Sequence, residues 1–246
     1  MPHTHHPHTD HPGHRTAQVL SVNTGGPRTG AWTGRVGRSA IDKSPAGAAV
    51  AVRFDGLVGD HVCDRKYHSG PDHAVYAFAR EDLDRWGEEL GQHLPDGFFG
   101  ENLTTLGIDV NEAVIGERWR VGTALLEVAK VRTPCRVFAG WLGVNGLPEE
   151  GWIKRFAAEG RPGPYLRVLE EGVVEAGDPL VVEHRPDHGI TVATVFRAVT
   201  TRRSLLPSLL DAPELAADVR AKALKERERR AALTAGRPGA AGAVLP

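Results

Sequence analysis

The stretch Val131-Arg132-Thr133-Pro134-Cys135-Arg136-Val137-Phe138 holds one of only two cysteines in the chain, with arginines on both sides of the thiol. Nearby cationic charge raises the thiolate fraction of a cysteine, and the thiolate is the form that attacks electrophiles and binds soft metals. A free, buried cysteine acting as a small hydrophobe is the competing explanation. A second concentration of reactive groups runs from Gly59 to Tyr76 and includes Asp60, His61, Cys63, Lys66, His68 and His73. Loops this dense in titratable groups beside an apolar strand are where sites are built, although an exposed polar loop has the same composition. His61, Cys63 and His68 lack the spacing of a zinc site. A third stretch, Gly97-Phe98-Phe99-Gly100-Glu101-Asn102-Leu103-Thr104-Thr105, brackets a Glu-Asn pair with glycines that let backbone come close to a ligand or simply make a turn.

These residues need a scaffold, and the apolar pattern supplies one. Ala124 to Val131 is an unbroken run that predicts a buried strand, stopped by Pro134 just before the thiol. Val19, Leu20 and Val22 predict a first strand ending in Asn23-Thr24-Gly25-Gly26-Pro27. Trp32 to Ile41 is read as a second strand, Ser44 to Gly47 as a loop, and Val50, Val52 and Phe54 as an alternating strand. Glu81 to Leu90 is an amphipathic helix with Leu83, Trp86 and Leu90 inward, and Glu149 to Glu159 is a further helix. Tyr165 to Leu169 and Pro179 to Glu183 are two more strands. After a boundary loop at Arg185 to Gly189 the pattern turns helical: Val192 to Thr200, Leu205 to Leu210, and Pro213 to about Leu233, with Pro213 in its first turn. The expected organisation is a tail over residues 1 to 16, a main domain over 17 to 186, a three-helix extension over 187 to 235 and a tail over 236 to 246. The first tail holds six of the 12 histidines and no apolar period, so it is expected to be disordered, as is the Gly/Ala/Pro tail at the other end.

Composition narrows the function. A net charge of −1 gives no nucleic-acid-binding surface. Charged residues break every apolar run short of a membrane helix, so a soluble, cytoplasmic protein is expected. Two cysteines are too few for a disulfide framework, a four-thiolate iron–sulfur centre or a cysteine-rich zinc cage. Abundant Gly and Pro, 29 and 17 residues, favour many short strands.

Three separated pieces then fall into register: Gly59-Asp60 followed by Lys66-Tyr67-His68-Ser69-Gly70-Pro71-Asp72-His73-Ala74-Val75, then Phe99 to Thr105, then Arg132-Thr133-Pro134-Cys135. Together they resemble the MOSC domain, named after the C-terminal domain of molybdenum cofactor sulfurases, and more narrowly its stand-alone YiiM type with a three-helix extension. The resemblance covers about residues 17 to 235. It implies a mainly β (α+β) fold, a barrel-like arrangement of strands with a few helices, and a small helical module after it. It also implies molybdenum cofactor (molybdopterin) binding, with Cys135 as the metal ligand, and reduction of N-hydroxylated compounds such as purine bases. His68 then becomes a proton donor and Lys66 a positioning cation, with Arg132, Arg136, Glu101 and Asn102 as further cofactor contacts. Ser69 departs from the second glycine of the family's run, and Cys63 matches no motif position and is taken as structural. No dinucleotide fingerprint follows a strand, so electrons are expected from a separate flavin- or iron–sulfur-containing donor protein. Other readings are a carrier or sulfur-transfer module on the same cysteine, a Cys135–His68 hydrolase, and a metal-binding protein using the N-terminal histidines.

Overall fold

The computed structural model describes residues 16 to 64 and 70 to 235. Residues 1 to 15, 65 to 69 (with Lys66 and His68) and 236 to 246 lie outside the described residues, so the expectations placed on them are not addressed by the fold.

Eleven strands and five α-helices follow one another among the described residues. The strands are β1 (Gln18–Thr24), β2 (Ser44–Pro45), β3 (Val50–Arg53), β4 (Gly56–Leu57), β5 (Val75–Ala79), β6 (Leu103–Leu106), β7 (Arg118–Val121), β8 (Ala124–Val131), β9 (Pro164–Glu170), β10 (Gly172–Val174) and β11 (Leu180–His184). The helices are α1 (Arg80–Leu90), α2 (Arg136–Val144), α3 (Trp152–Glu159), α4 (Val192–Thr200) and α5 (Ala217–Ala235). One sheet has the order β11-β7-β8-β9-β5-β6-β1-β2, and a small one has the order β10-β3-β4. All pairings are antiparallel except β5 with β6, which α1 connects as a crossover. The large sheet curls back on itself. Gln18 bridges Pro179, Val19 N–H donates to the Asp178 carbonyl at 2.9 Å, and Leu180 N–H donates to the Ala17 carbonyl at 2.9 Å. These bonds join β1 to the start of β11 and give the barrel-like arrangement of strands expected of a mainly β (α+β) fold, with several helices around it.

β8 lies where the apolar run predicts it, and all eight of its residues are buried. Leu83 and Trp86 of α1 pack in the same core, where Trp86 meets Trp152 with ring centroids 4.7 Å apart. Burying aromatic side chains of this size contributes roughly 1.5–3 kcal/mol each. The core does not stop at the helical module. Phe196 of α4 is fully buried edge-on against Phe156 of α3 at 5.7 Å, Ala193 N–H donates to the Asn111 carbonyl at 2.9 Å, and Ala216 N–H donates to the Ala129 carbonyl of β8 at 3.1 Å.

Four local expectations are corrected. Trp32 to Ile41 is not a strand: Ala31 to Val36 forms tight 3-10 turns, because Gly34 takes φ 58°, ψ −138° and Gly37 is left-handed. Trp32 instead packs against Trp141, its ring tilted by 49° with centroids 5.4 Å apart. Ser44–Pro45 pairs with the end of β1 instead of remaining a loop. Phe54 falls in the turn after β3 and is exposed. Pro213 lies in a turn ahead of α5, which begins at Ala217, although Leu215, Val219 and Ala223 are buried as the face predicts.

Candidate functional site

After β8 the chain runs extended through Arg132-Thr133-Pro134 and turns into α2 at Cys135. Cys135 is the N-cap of that helix, with φ −136° and ψ 159°, and its Sγ accepts a hydrogen bond from Phe138 N–H at 3.4 Å. The first amides of a helix have no intrahelical partner, and the sulfur supplies an acceptor to one of them. The thiol is half-buried and faces a cavity of about 170 Å³ that is partly open to solvent.

Arg132 lines the same cavity from inside the core and is only 5% exposed. Its guanidinium carbon lies 4.6 Å from the Phe138 ring centroid, 5.4 Å from Phe156, 5.5 Å from Tyr76 and 6.0 Å from Phe99. Among the described residues it has no carboxylate ion pair, and Nη1 is buried without a partner. Burial alone would weaken its hold on the proton, but the neighbouring acidic groups of Tyr76, Cys135, Tyr165 and Glu101 raise its pKa, so the guanidinium keeps its charge. A cation kept dry among aromatic rings with an unused donor is costly, and an incoming anion would relieve that cost.

The opposite wall is a polar network. Asn102 Nδ2 donates to Asp60 Oδ2 at 2.8 Å and to the Asn23 carbonyl at 3.3 Å, while its Oδ1 accepts from Tyr76 N–H at 3.0 Å. Asp60 also accepts from Gly25 N–H at 2.9 Å and pairs with the Lys43 ammonium. Gly97, at φ 85°, is what admits this arrangement: a Cβ there would stand 2.6 Å from the Lys43 carbonyl. The close approach allowed by the glycine bracket is therefore to the Ile41–Lys43 segment, and it brings Lys43 to the cavity.

Of the residues singled out in the sequence, Cys135, Arg132 and Asn102 meet at one cavity. Cys63, expected to be structural, is half-buried and lines that cavity too. Arg136 is exposed and lines neither of the two cavities that meet at Cys135. Glu101 is wholly buried beneath the site. Its Oε1 accepts from Gly97 N–H at 2.6 Å and from the Thr104 hydroxyl at 2.9 Å, and burial raises its pKa to about 7. Lys43 is the contributor that sequence reasoning misses, since nothing in Asp42-Lys43-Ser44 marks it. A second cavity, of about 310 Å³, adjoins the first and shares Asp64, His73, Thr133, Cys135 and Tyr165 with it. Among the described residues no group of three or more His, Cys, Asp or Glu side chains is arranged to hold a metal ion.

A MOSC domain family model matches residues 64–181, a span that contains Cys135 and Arg132. YflK of Bacillus subtilis (strain 168) is 32% identical over 214 residues, which cover 86% of this chain and 95% of that protein. This chain belongs to the MOSC domain family. The crystal structure of YiiM from Geobacillus stearothermophilus matches with a TM-score of 0.70 at 30% identity, over 85% of this chain and 98% of that one. Most of the fold of this MOSC protein is therefore shared with YiiM. A protein of Gibberella moniliformis (strain M3125 / FGSC 7600) named "Reductase" is 30% identical over 225 residues. Those residues cover 88% of this MOSC chain but only 38% of the fungal protein.

Proposed function

We propose that this MOSC protein binds the molybdenum cofactor through Cys135 and reduces N-hydroxylated compounds, purine bases among them, releasing the oxygen as water. The observation that carries the proposal is the pairing, at one cavity, of a thiol on a helix N-terminus with a buried arginine whose Nη1 has no partner. The residues fit the group. A pyranopterin brings its own dithiolene sulfurs and an anionic phosphate, so the protein need add only one soft thiolate and one cation. Cys135 would ligate the metal, Arg132 would receive the phosphate, and Asn102 with Lys43 would line the opposite wall. When bound, the cofactor supplies two-electron oxygen-removal chemistry. The balance is R–NH–OH plus two electrons and two protons giving R–NH2 and water. His68 and Lys66, which follow Asp64 in the sequence, remain the proposed proton donor and positioning cation.

The electrons come, in this proposal, from a separate flavin- or iron–sulfur-containing donor. The name of the fungal relative supports reductase chemistry, and its additional length has room for a further module. The test is to purify wild type and Cys135→Ala, measure molybdenum in both, and assay reduction of an N-hydroxylated purine with an artificial electron donor. The expected result is molybdenum and turnover in wild type and loss of both, by at least about a hundredfold in turnover, in the variant. Equal metal and equal turnover in the two proteins would end the proposal.

A further inference from the structure

The second cavity at Cys135 is built jointly by the barrel and the helical module. Lys130, Cys135 and Tyr165 line it from the barrel side, and Val199, Asp218 and Lys222 from α4 and α5. Its shape depends on how α5 is seated. Ala216 N–H donates to the Ala129 carbonyl at 3.1 Å, and Arg167 Nη2 donates to the Glu214 carbonyl at 2.9 Å, fixing the entry to the helix against β8 and β9. The buried Lys130 ammonium then donates to Asp218 Oδ2 at 2.7 Å across the junction. Lys222 stands one turn further along α5, on the same face. Lys130, Lys222 and His73 together hold the Asp218 carboxyl below its usual range, against the opposing effect of its partial burial, so it stays an acceptor.

The two cavities differ in what they offer. The first holds the buried Arg132 with its unsatisfied Nη1 and suits an anion. In the second the formal charges balance, Lys130 and Lys222 facing the carboxylates of Asp218 and Asp64. That wall presents donor, acceptor and donor in sequence beside the apolar surfaces of Val199, Val219 and Tyr165. A volume of about 310 Å³ lies at the small end of the range for small-molecule sites, roughly 300–1,000 Å³. An alternation of this kind matches the edge of a planar nitrogen heterocycle, whose ring nitrogens, carbonyls and N–H groups alternate in the same way.

We propose that this second cavity is the substrate subsite: it takes a planar nitrogen base with the N–OH group directed at Cys135 and the far polar edge on Asp218 and Lys222. The proposal rests on the reductase reading for the identity of its ligand. It gives the helical module a function of its own, as one wall of the specificity pocket.

The test is equilibrium binding of 6-N-hydroxylaminopurine to purified wild type, Lys222→Ala and Asp218→Asn by calorimetry, with molybdenum content measured on the same samples. Lys222 is exposed, so Lys222→Ala is expected to fold normally. The expected result is binding weakened by about tenfold or more in each variant, with unchanged molybdenum. Binding within about twofold of wild type in both variants would overturn the subsite, and so would absence of binding to molybdenum-replete wild type. A wild type that lacks molybdenum but binds the base in a Lys222-dependent way would refute the cofactor assignment and support the subsite.

Discussion

Arg132 carries a full charge into a cage of four rings with no carboxylate ion pair among the described residues, an arrangement that costs stability unless something anionic arrives. Arg132→Met is therefore expected to hold or raise the stability of the cofactor-free protein, by about 1 kcal/mol, while molybdenum retention falls by at least about tenfold. Urea unfolding and metal analysis on the same preparation check both halves. Glu101 makes the opposite kind of prediction. Its carboxyl is raised from 4.5 to about 7 first by burial, so the folded state binds a proton that the unfolded state has released between those values. Stability should therefore decrease as pH rises from about 4.5 to 7 on this group's account, by up to about 1.4 kcal/mol per pH unit. Glu101→Gln keeps an acceptor for Gly97 N–H and the Thr104 hydroxyl. It should match wild type at pH 5 and exceed it at pH 8, with urea midpoints at the two pH values as the measurement. Cys135 was singled out mostly by the family resemblance, with its flanking arginines only consistent with a role, and the ring cage around Arg132 was not legible at all. Its rings come from positions 76, 99, 138 and 156, which no local pattern connects.

Elements read well where one physical rule governed the whole segment. Ala124 to Val131 is apolar on both faces because both faces are covered, and α1 and α4 show clean helical stripes. Elements failed to read where glycines interrupt the pattern. In α2, Gly140 and Gly143 look like turn residues. Yet a Cβ at Gly140 would sit 2.9 Å from the Trp32 carbonyl, so that glycine serves close packing of the helix on the Trp32 turn. The same logic makes Gly163 a sensitive position. It has φ 71°, its carbonyl accepts from Arg132 N–H at 3.3 Å, and a Cβ would lie 2.3 Å from the Ala77 carbonyl. Gly163→Ala is expected to destabilise by about 2–3 kcal/mol, through left-handed backbone strain plus the clash. Thermal unfolding measures it, and a change under 0.5 kcal/mol, roughly the size of a neutral surface substitution, would contradict it.

At the scale of the whole molecule, the extension over residues 187 to 235 shares one hydrophobic core with the barrel. Val192, Val195, Phe196, Leu206 and Leu209 are all buried in that core, so removing everything after Gly189 would bare a large apolar face. The truncated protein is expected to aggregate or unfold, as judged by gel filtration and circular dichroism. A soluble, cooperatively folded 189-residue product would show the module to be separable. In the described residues no helix is long and apolar enough to cross a membrane. The seam between β1 and β11 joins Gln18 to Pro179, so the first strand waits for chain synthesised some 160 residues later before its edge is covered. Helix α5, which supplies a wall beside Cys135, comes later still. During translation the thiol thus emerges well before the pocket around it exists. The described lining of the cavity that Cys135 shares with Arg132 is complete once Tyr165 has been made, so a prosthetic group held there is expected to be captured only after that point.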